Sequence, residues 1–343
     1  MSVCQGRFVY AMQLSILLDL RIVRGLILGL FSLFRLILDR QSHRLGLFLG
    51  LRLFLRLFGN IFQTKKNQYV SHILQKLKTL NVHICIERNF ASFIHKELKV
   101  DLTNIETFER TQHCCAHVAI SIGGDGTFLG TAALVGASGI PILGINTGRL
   151  GFLADVSPEA IDESLEALCK GEYVIEKRKA LAVMKDGKLS TFYPYALNEV
   201  AVLKHDNSSL IEIKTYVNDH FLTNYLADGL IISTPTGSTG YSLSVGGPIL
   251  VPQSGTFCIS PIAPHSLSVR PVVVRDDVKI RLEVCSRSHN FLLACDGQSE
   301  SLPHSTVISL ECAPHTIKVI KIKHKHFFET LRDKLMWGAD QRN

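Results

Sequence analysis

The sequence lacks the features that mark several common protein classes. Its nine cysteines form no Cys-x-x-Cys pair, so neither a zinc site nor a disulfide framework has the spacing that it requires. The fourteen histidines likewise show no metal-ligand spacing. The longest uncharged stretch between the N-terminal arginines is 10 residues, whereas a transmembrane helix needs about 20. These absences favour a cytoplasmic protein with reduced thiols and without stable membrane insertion.

The sequence also lacks a basic domain surface. The formal net charge is +7, but residues 1–58 contain eight arginines against two aspartates and so supply +6 of it. The rest of the chain is therefore close to neutral. A nucleic-acid-binding domain needs a concentrated basic face, so we do not expect a nucleic-acid partner.

Residues 1–52 form an atypical extension rich in leucine, phenylalanine and arginine, and lysine is absent from residues 1–58. The extension has neither the basic start nor the small-residue cleavage site of a signal peptide. It is compatible with a basic amphipathic helix at a membrane surface. The alternative is that the start has been assigned too far upstream. The abrupt change in lysine usage favours that second interpretation.

Residues 53–172 alternate between β-branched or apolar runs and segments with helical periodicity. We predict strands at 53–58, 82–86, 117–122 and 140–145, with helices at 67–80, 90–98, 127–135 and 158–170. Strands that alternate with helices indicate a mostly parallel sheet with right-handed crossovers. This part of the chain is therefore predicted to be a Rossmann-like α/β domain.

Residues 173–322 have a different rhythm, because short strand-like segments follow one another almost without helices. Among them are 181–185, 198–203, 229–233, 256–262, 307–311 and 317–322. This pattern predicts an all-β, sandwich-like domain. A C-terminal helix at 327–335 and a tail complete residues 323–343.

The α/β part contains a glycine-rich turn, Gly123-Gly-Asp-Gly-Thr127, directly after a predicted strand. Its glycines allow backbone N–H groups to face an anion, and the following helix directs its N-terminus at the same place. No Lys-Ser/Thr follows, so it is not a Walker A loop, and Mg²⁺ would offset the charge of a triphosphate. Asp125 is the ionisable group of this turn. By itself, a Gly-Asp-Gly sequence is more often an ordinary tight turn.

The β part contains a second unusual segment, residues 228–248, which begins at Asp228 and ends at Pro248. Residues 234–244 carry seven hydroxyl groups in eleven positions, more than a purely structural turn requires. Such a surface suits a ligand rich in hydroxyl and phosphate oxygens, and Tyr241 is available to stack or to form a hydrogen bond.

Together these motifs resemble those of NAD kinases. The resemblance rests on 123–127, 147–153, Asn198-Glu199, 228–248 and 261–264, and it is extended by Arg270-Pro271 and Asp296-Gly297. It covers roughly residues 58–322. The glycine-rich turn alone is less specific, since lipid kinases and phosphofructokinases have a similar one. Residues 1–52 match nothing in the family.

The resemblance implies that NAD is phosphorylated at the 2′-hydroxyl of its adenosine ribose, with ATP as donor, a divalent metal and a homo-oligomer, dimer or tetramer. Asp125 matches the catalytic carboxylate. Gly240 stands where the family usually has alanine, which should loosen the adenine pocket slightly. The implied substrate-binding residues are Gly126, Asn198, Glu199, Asp228, Thr239, Gly240, Tyr241, Ser242, Leu243, Ser244, Ala263 and Gln298.

Two other hypotheses use the same motifs. A lipid kinase of the diacylglycerol type would share the glycine-rich turn and use the basic, apolar N-terminus, but the hydroxyl-rich segment argues against it. A sensor that binds NAD or NADP without turnover would share the binding surface. An assay for NADP formation in the presence of ATP distinguishes all three.

Overall fold

The computed structural model describes residues 52–61, 67–110, 115–148, 151–205, 209–322 and 327–336. The N-terminal extension, for which we considered a membrane-surface helix, lies outside the described residues. No described helix is both long and apolar enough to cross a membrane.

The first half of the described chain forms a parallel sheet in the order β3-β2-β1-β4-β5. Its strands are β1 (Phe54–Gly59), β2 (His83–Glu87), β3 (Glu106–Phe108), β4 (Val118–Gly123) and β5 (Ile142–Asn146). The accompanying helices are α1 (Asn67–Thr79), α2 (Arg88–Leu98), α3 (Asp125–Val135) and α4 (Ile161–Lys170). The chain reverses its direction of sheet growth between β1 and β4, and such switch points are where open α/β sheets bind ligands.

The second half supplies the other strands and two further helices. The strands of the large sheet are β6 (Val174–Lys185), β7 (Lys188–Leu189), β8 (Tyr195–Ala196), β10 (Ile211–Val217), β11 (His220–Ala227), β15 (Ile280–Cys285) and β18 (Ile308–Lys321). The strands of a separate six-stranded antiparallel sheet are β9 (Glu199–Lys204), β12 (Gly229–Ser233), β13 (Thr256–Ile262), β14 (Val272–Arg275), β16 (Asn290–Cys295) and β17 (Gln298–Pro303). The helices are α5 (Tyr241–Ser244) and α6 (Phe327–Leu335).

One long strand joins the two halves. The first part of β18 pairs with β15, whereas Val319 pairs in parallel with Ile142 of β5. Along its other edge β18 pairs antiparallel with β6. The large sheet therefore has twelve strands and continues from the parallel part into the second half.

The two sheets of the second half pack face to face. Ile213 and Leu282 of the large sheet share a fully buried apolar cluster with Val202, Ile232 and Phe257 of the six-stranded sheet. Alternate residues of each strand supply this cluster, as in a β-sandwich. The α/β sheet followed by a sandwich confirms the predicted fold class.

The structure differs from the sequence prediction in a few elements. Strands β3, β7, β8, β11, β14 and β17 had no predicted counterpart. The strands predicted at 307–311 and 317–322 are parts of the single strand β18, whose register shifts between Cys312 and Thr316. Pro314 lies within that shift and hid the continuity, because proline normally interrupts a strand.

Candidate active site

Asp125 lies at the switch point between β1 and β4. It is the first residue of helix α3, where the helix dipole favours a negative charge. Gly126 beside it is exposed, and a Cβ atom there would meet nothing within 4 Å. Packing therefore does not explain this glycine, which leaves backbone open on the solvent side of the turn.

The carboxylate of Asp125 is held by three consecutive backbone amides. Phe152 N donates to Oδ2 at 2.7 Å, while Leu153 N and Ala154 N donate to Oδ1, each at 3.0 Å. A carboxylate offers about four acceptor positions. Asp125 therefore retains one acceptor position, on Oδ2.

Gly151 makes this arrangement possible. A Cβ atom at residue 151 would fall far inside the van der Waals distance of Asp125 Oδ1. The loop approaches the carboxylate so closely that only glycine fits at position 151. This close contact is the reason for the glycine in the Leu-Gly-Phe sequence.

The hydroxyl-rich segment is fastened to the start of strand β9. Thr234 N donates to Asn198 O at 2.9 Å, and Thr234 Oγ1 donates to Leu197 O at 2.6 Å. Gly237 packs so tightly against the Asn198 backbone that a Cβ atom would collide with it. The segment and the Asn198-Glu199 pair therefore form one surface.

Four of the seven hydroxyl-bearing residues are buried, Thr236 at 8% exposure and the other three completely. Thr234, Ser238 and Ser242 are 0% exposed, Ser238 Oγ accepts from Leu250 N at 2.9 Å, and Ser242 Oγ lies 3.2 Å from Ser260 Oγ. These groups stabilise the turn. Tyr241 and Ser244, in contrast, are exposed, and the predicted residues Thr239, Gly240 and Leu243 are partly exposed.

Two acceptor atoms in this surface lack partners. Asn198 Oδ1 and Glu199 Oε2 are buried and have no hydrogen-bond partner among the described residues. A Cβ atom at Gly240 would lie 3.1 Å from Glu199 Oε2, so an alanine at this position would crowd this oxygen. Unpaired buried acceptors are costly, and a ligand hydroxyl or amino group would satisfy them.

Asp296, which the sequence prediction omitted from the site, orients this pair. Its oxygens accept from Leu197 N at 2.7 Å, Asn198 N at 2.8 Å and Glu199 N at 3.1 Å. Burial raises the pKa of Asp296 to about 6, although these three amides oppose the rise. Burial, followed by the charge of Asp296, raises the pKa of Glu199 to about 7.

A cleft joins the Asp125 loop to the hydroxyl-rich segment. It is lined by Phe152 and Leu153, whose amides bind Asp125, and by Thr236 and Thr239 of the hydroxyl-rich segment. Its other lining residues are Glu176, Arg178, Pro235, Pro252, Lys321, Phe327 and Thr330. The structure thus brings together motifs that are about a hundred residues apart in the sequence.

The predicted site residues do not all lie at this cleft. Ser233, at the carboxyl end of β12, pairs with Glu199, whereas Gly229 at the other end pairs with Ile262. Asp228 and Ala263 flank that second end, so five residues of extended strand, about 16 Å, separate them from the Glu199 end. Asp228 instead forms an ion pair with Lys204 at 2.6 Å.

Gln298 belongs to the Glu199 end, because it follows the Asp296-Gly297 turn and Cys295 opposite it pairs with Val200. The described residues contain no group of three or more His, Cys, Asp or Glu side chains able to hold a metal.

The fold and this cleft are those expected of a protein that binds a nucleotide. An open α/β sheet presents a glycine-rich turn and a fixed carboxylate at its switch point, facing a hydroxyl-lined surface. Two family models match the chain, the ATP-NAD kinase N-terminal domain over residues 55–173 and the ATP-NAD kinase C-terminal domain over residues 197–322.

The chain belongs to the ATP-NAD kinase family. It is 52% identical to the NAD kinase of Bacteroides fragilis over 286 residues, which are 83% of this chain and 98% of that protein. Identity to the NAD kinase of Porphyromonas gingivalis is 45% over the same shares. The predicted activity, ATP-dependent phosphorylation of NAD, is thereby confirmed.

Solved structures agree with this assignment. Yeast NADH kinase complexed with NADH has a TM-score of 0.77 at 21% identity, covering 85% of this chain and 89% of that one, and shows the same fold. An NAD kinase from Archaeoglobus fulgidus in complex with ATP has a TM-score of 0.62 at 25% identity, covering 83% and 99%.

We predict that Gly151→Ala lowers the rate of NADP formation about 100-fold, because the added methyl displaces the Asp125 carboxylate or its loop. Initial rates of the purified protein test this. The matched control is Gly130→Ala on helix α3, where a Cβ atom meets nothing within 4 Å and alanine should favour the helix slightly. Equal activity of the two variants would contradict the role of the close approach.

Proposed function

We propose that Asp125 is the general base that accepts the proton of the 2′-hydroxyl of the adenosine ribose of NAD. The hydroxyl pKa lies far above 7, so its proton must leave as the new bond forms. The observation that carries the proposal is the remaining acceptor position on Oδ2, beside the cleft, on a carboxylate held by three amides.

In this reaction the 2′-oxygen forms a bond to the γ-phosphorus of ATP, and the bond from that phosphorus to the β–γ bridging oxygen breaks. ADP leaves with the electron pair, and the proton passes to Asp125. The amide hydrogen bonds hold the carboxylate in place, so the enzyme contributes mainly positioning.

A divalent cation, Mg²⁺ in our proposal, would neutralise charge on the ATP phosphates. Because no described cluster of side chains forms a protein cage for it, the cation would enter with the phosphates, as Mg²⁺ commonly does. Gly126 and the backbone around it leave room for phosphate oxygens at the N-terminus of α3.

The substrate is proposed to contact the surface built on β9 and the hydroxyl-rich segment. Asn198 Oδ1 and Glu199 Oε2 would accept from hydroxyl or amino groups of the dinucleotide. The contacts come from Thr239, Gly240, Tyr241, Leu243, Ser244 and Gln298. In this proposal the buried hydroxyl of Ser242 has a structural role, because it forms a hydrogen bond with Ser260. The backbone of Ser242 positions the neighbouring residues that contact the substrate.

We expect Asp125→Asn to lower the turnover number by a factor of 10² to 10⁴, because the amide cannot accept the proton. The measurement is NADP formation by protein shown to be folded by its melting temperature. Turnover close to that of the unmodified protein would show that Asp125 is not the base.

The pH dependence of the reaction should report Glu199. Its raised pKa of about 7 means that it ionises as the pH increases through neutrality, so kcat/KM for NAD should rise through that range if the ionised form accepts a ribose hydroxyl. Glu199→Gln should remove this rise of kcat/KM with pH. Asp296→Asn should move it to lower pH, because one negative neighbour is lost. If kcat/KM of Glu199→Gln still rises through this pH range, the rise is caused by another ionisable group.

We also propose a cytoplasmic homo-oligomer. None of the seven described cysteines is in a disulfide, as is usual in a reducing compartment. Strand β11 is an edge of the large sheet and exposes Phe221, Leu222 and Leu226. Leu226 O accepts from His265 N, so Leu226, at the end of β11, lies near Asp228 and Ala263. A second copy would cover this edge, which otherwise favours uncontrolled association.

We expect Leu226→Glu to reduce the molar mass measured by light scattering, because a charge then replaces a side chain that is 45% exposed in the free chain and buried by the partner. Leu189→Glu, at a position 47% exposed on β7, is the control and should leave the mass unchanged. An unchanged mass in both variants would place the contact elsewhere or show a monomer.

A further inference from the structure

The C-terminal segment approaches the loop that holds Asp125 from two sides. Strand β18 ends at Lys321, and helix α6 follows it. The two family models end at residues 173 and 322, so helix α6 lies outside both matched ranges. Its contacts nevertheless reach the loop formed by residues 151–155.

The first contact is an ion pair at the end of the loop. Lys321 Nζ lies 2.6 Å from Asp155 Oδ2, and the two side chains are only 12% and 17% exposed. Because a buried charge requires its partner, this pair fixes the loop end against the last strand.

The second contact is a cation–π interaction near the start of the loop. Lys334 Nζ of helix α6 lies 4.3 Å from the centroid of the Phe152 ring. The amide of the same Phe152 donates to Asp125 Oδ2 at 2.7 Å. Thr330 and Leu331 are buried and anchor the helix. The backbone that carries Lys334 is therefore held in place.

Helix α6 also forms part of the cleft wall. Phe327 and Thr330 line the cleft together with Phe152 and Thr239. Lys321 and helix α6 therefore contact the loop near both of its ends and line the same cleft as Phe152.

We propose that Lys321 and helix α6 together form a positioning clasp for the loop that holds Asp125, and that Lys334 is its positioning residue. Lys334 acts through the Phe152 ring and the Phe152 amide, without contacting the reacting atoms. The proposal rests on the proposed role of Asp125 as the base.

The test compares Lys334→Met with Lys334→Arg. The methionine variant keeps the length of the side chain but loses the cation, so kcat should fall about fivefold, equivalent to about 1 kcal/mol. KM for NAD and for ATP should stay unchanged, because the clasp acts on the base. Arginine, which also binds aromatic faces, should restore the rate. Arg332→Met, at an exposed position on the same helix, is the matched control.

A double-mutant cycle separates this role from a general structural one. In a Phe152→Leu background, Lys334→Met should have no further effect on kcat, because the ring through which it acts is absent. Melting temperatures of all variants check folding. Additive effects at positions 152 and 334, a change in KM alone, or an unaffected kcat in Lys334→Met would overturn the proposal.

The outcomes remain distinguishable from those of Asp125→Asn. If that variant stays active, the assignment of the base fails, whereas coupling between residues 152 and 334 is measured in a background that keeps Asp125. If the coupling is absent while Asp125→Asn is inactive, only the clasp fails.

Discussion

The candidate site depends on one interaction, the binding of three successive backbone amides by the Asp125 carboxylate. This interaction joins the start of helix α3 to the loop after β5 and holds the carboxylate against Phe152 and Leu153, which line the cleft. Asp296 makes the same arrangement with residues 197–199 on the opposite side. Each side of the site is thus held by an aspartate that uses backbone N–H groups, which are rigid donors that side-chain substitution cannot remove.

Holding the site in this way restricts which residues can stand at some positions and places two carboxylates close together. Gly151 and Gly237 are required where backbone approaches a carboxylate or a carbonyl too closely for any side chain. Glu199 and Asp296 are carboxylates close enough for one charge to raise the pKa of the other. Since ionisation of both groups is disfavoured in the folded state, their contribution to stability declines as the pH rises from about 4 towards 7. Groups that lower the stability of the folded protein are expected at functional sites, because the activity requires them there.

The sequence was sufficient for the parallel sheet and for the motifs, because hydrophobic periodicity and glycine-rich turns are local signals. It was insufficient for β11, whose alternation includes exposed leucines and phenylalanine, and for β18, which Pro314 appeared to divide. The count of hydroxyls overstated the ligand surface, since Thr234 and Ser242 satisfy the turn itself. The motif containing Asp296 was recognised but its place in the site was not, and Lys334 was not noticed, because both make their contacts with residues about a hundred or more positions away in sequence.

The topology explains why such distant residues meet. Strands β4, β5 and β18 are parallel, so Asp125, the loop after Asn146 and Lys321 all lie at their carboxyl edge. Strand β6 is antiparallel to β18, and Val174 at its start pairs with Lys321, which brings Arg178 and its neighbours to the same edge. Helix α6 follows β18 and therefore also begins there. The cleft is consequently a product of strand direction: the returning last strand places the C-terminal segment beside a carboxylate that the chain introduced about two hundred residues earlier.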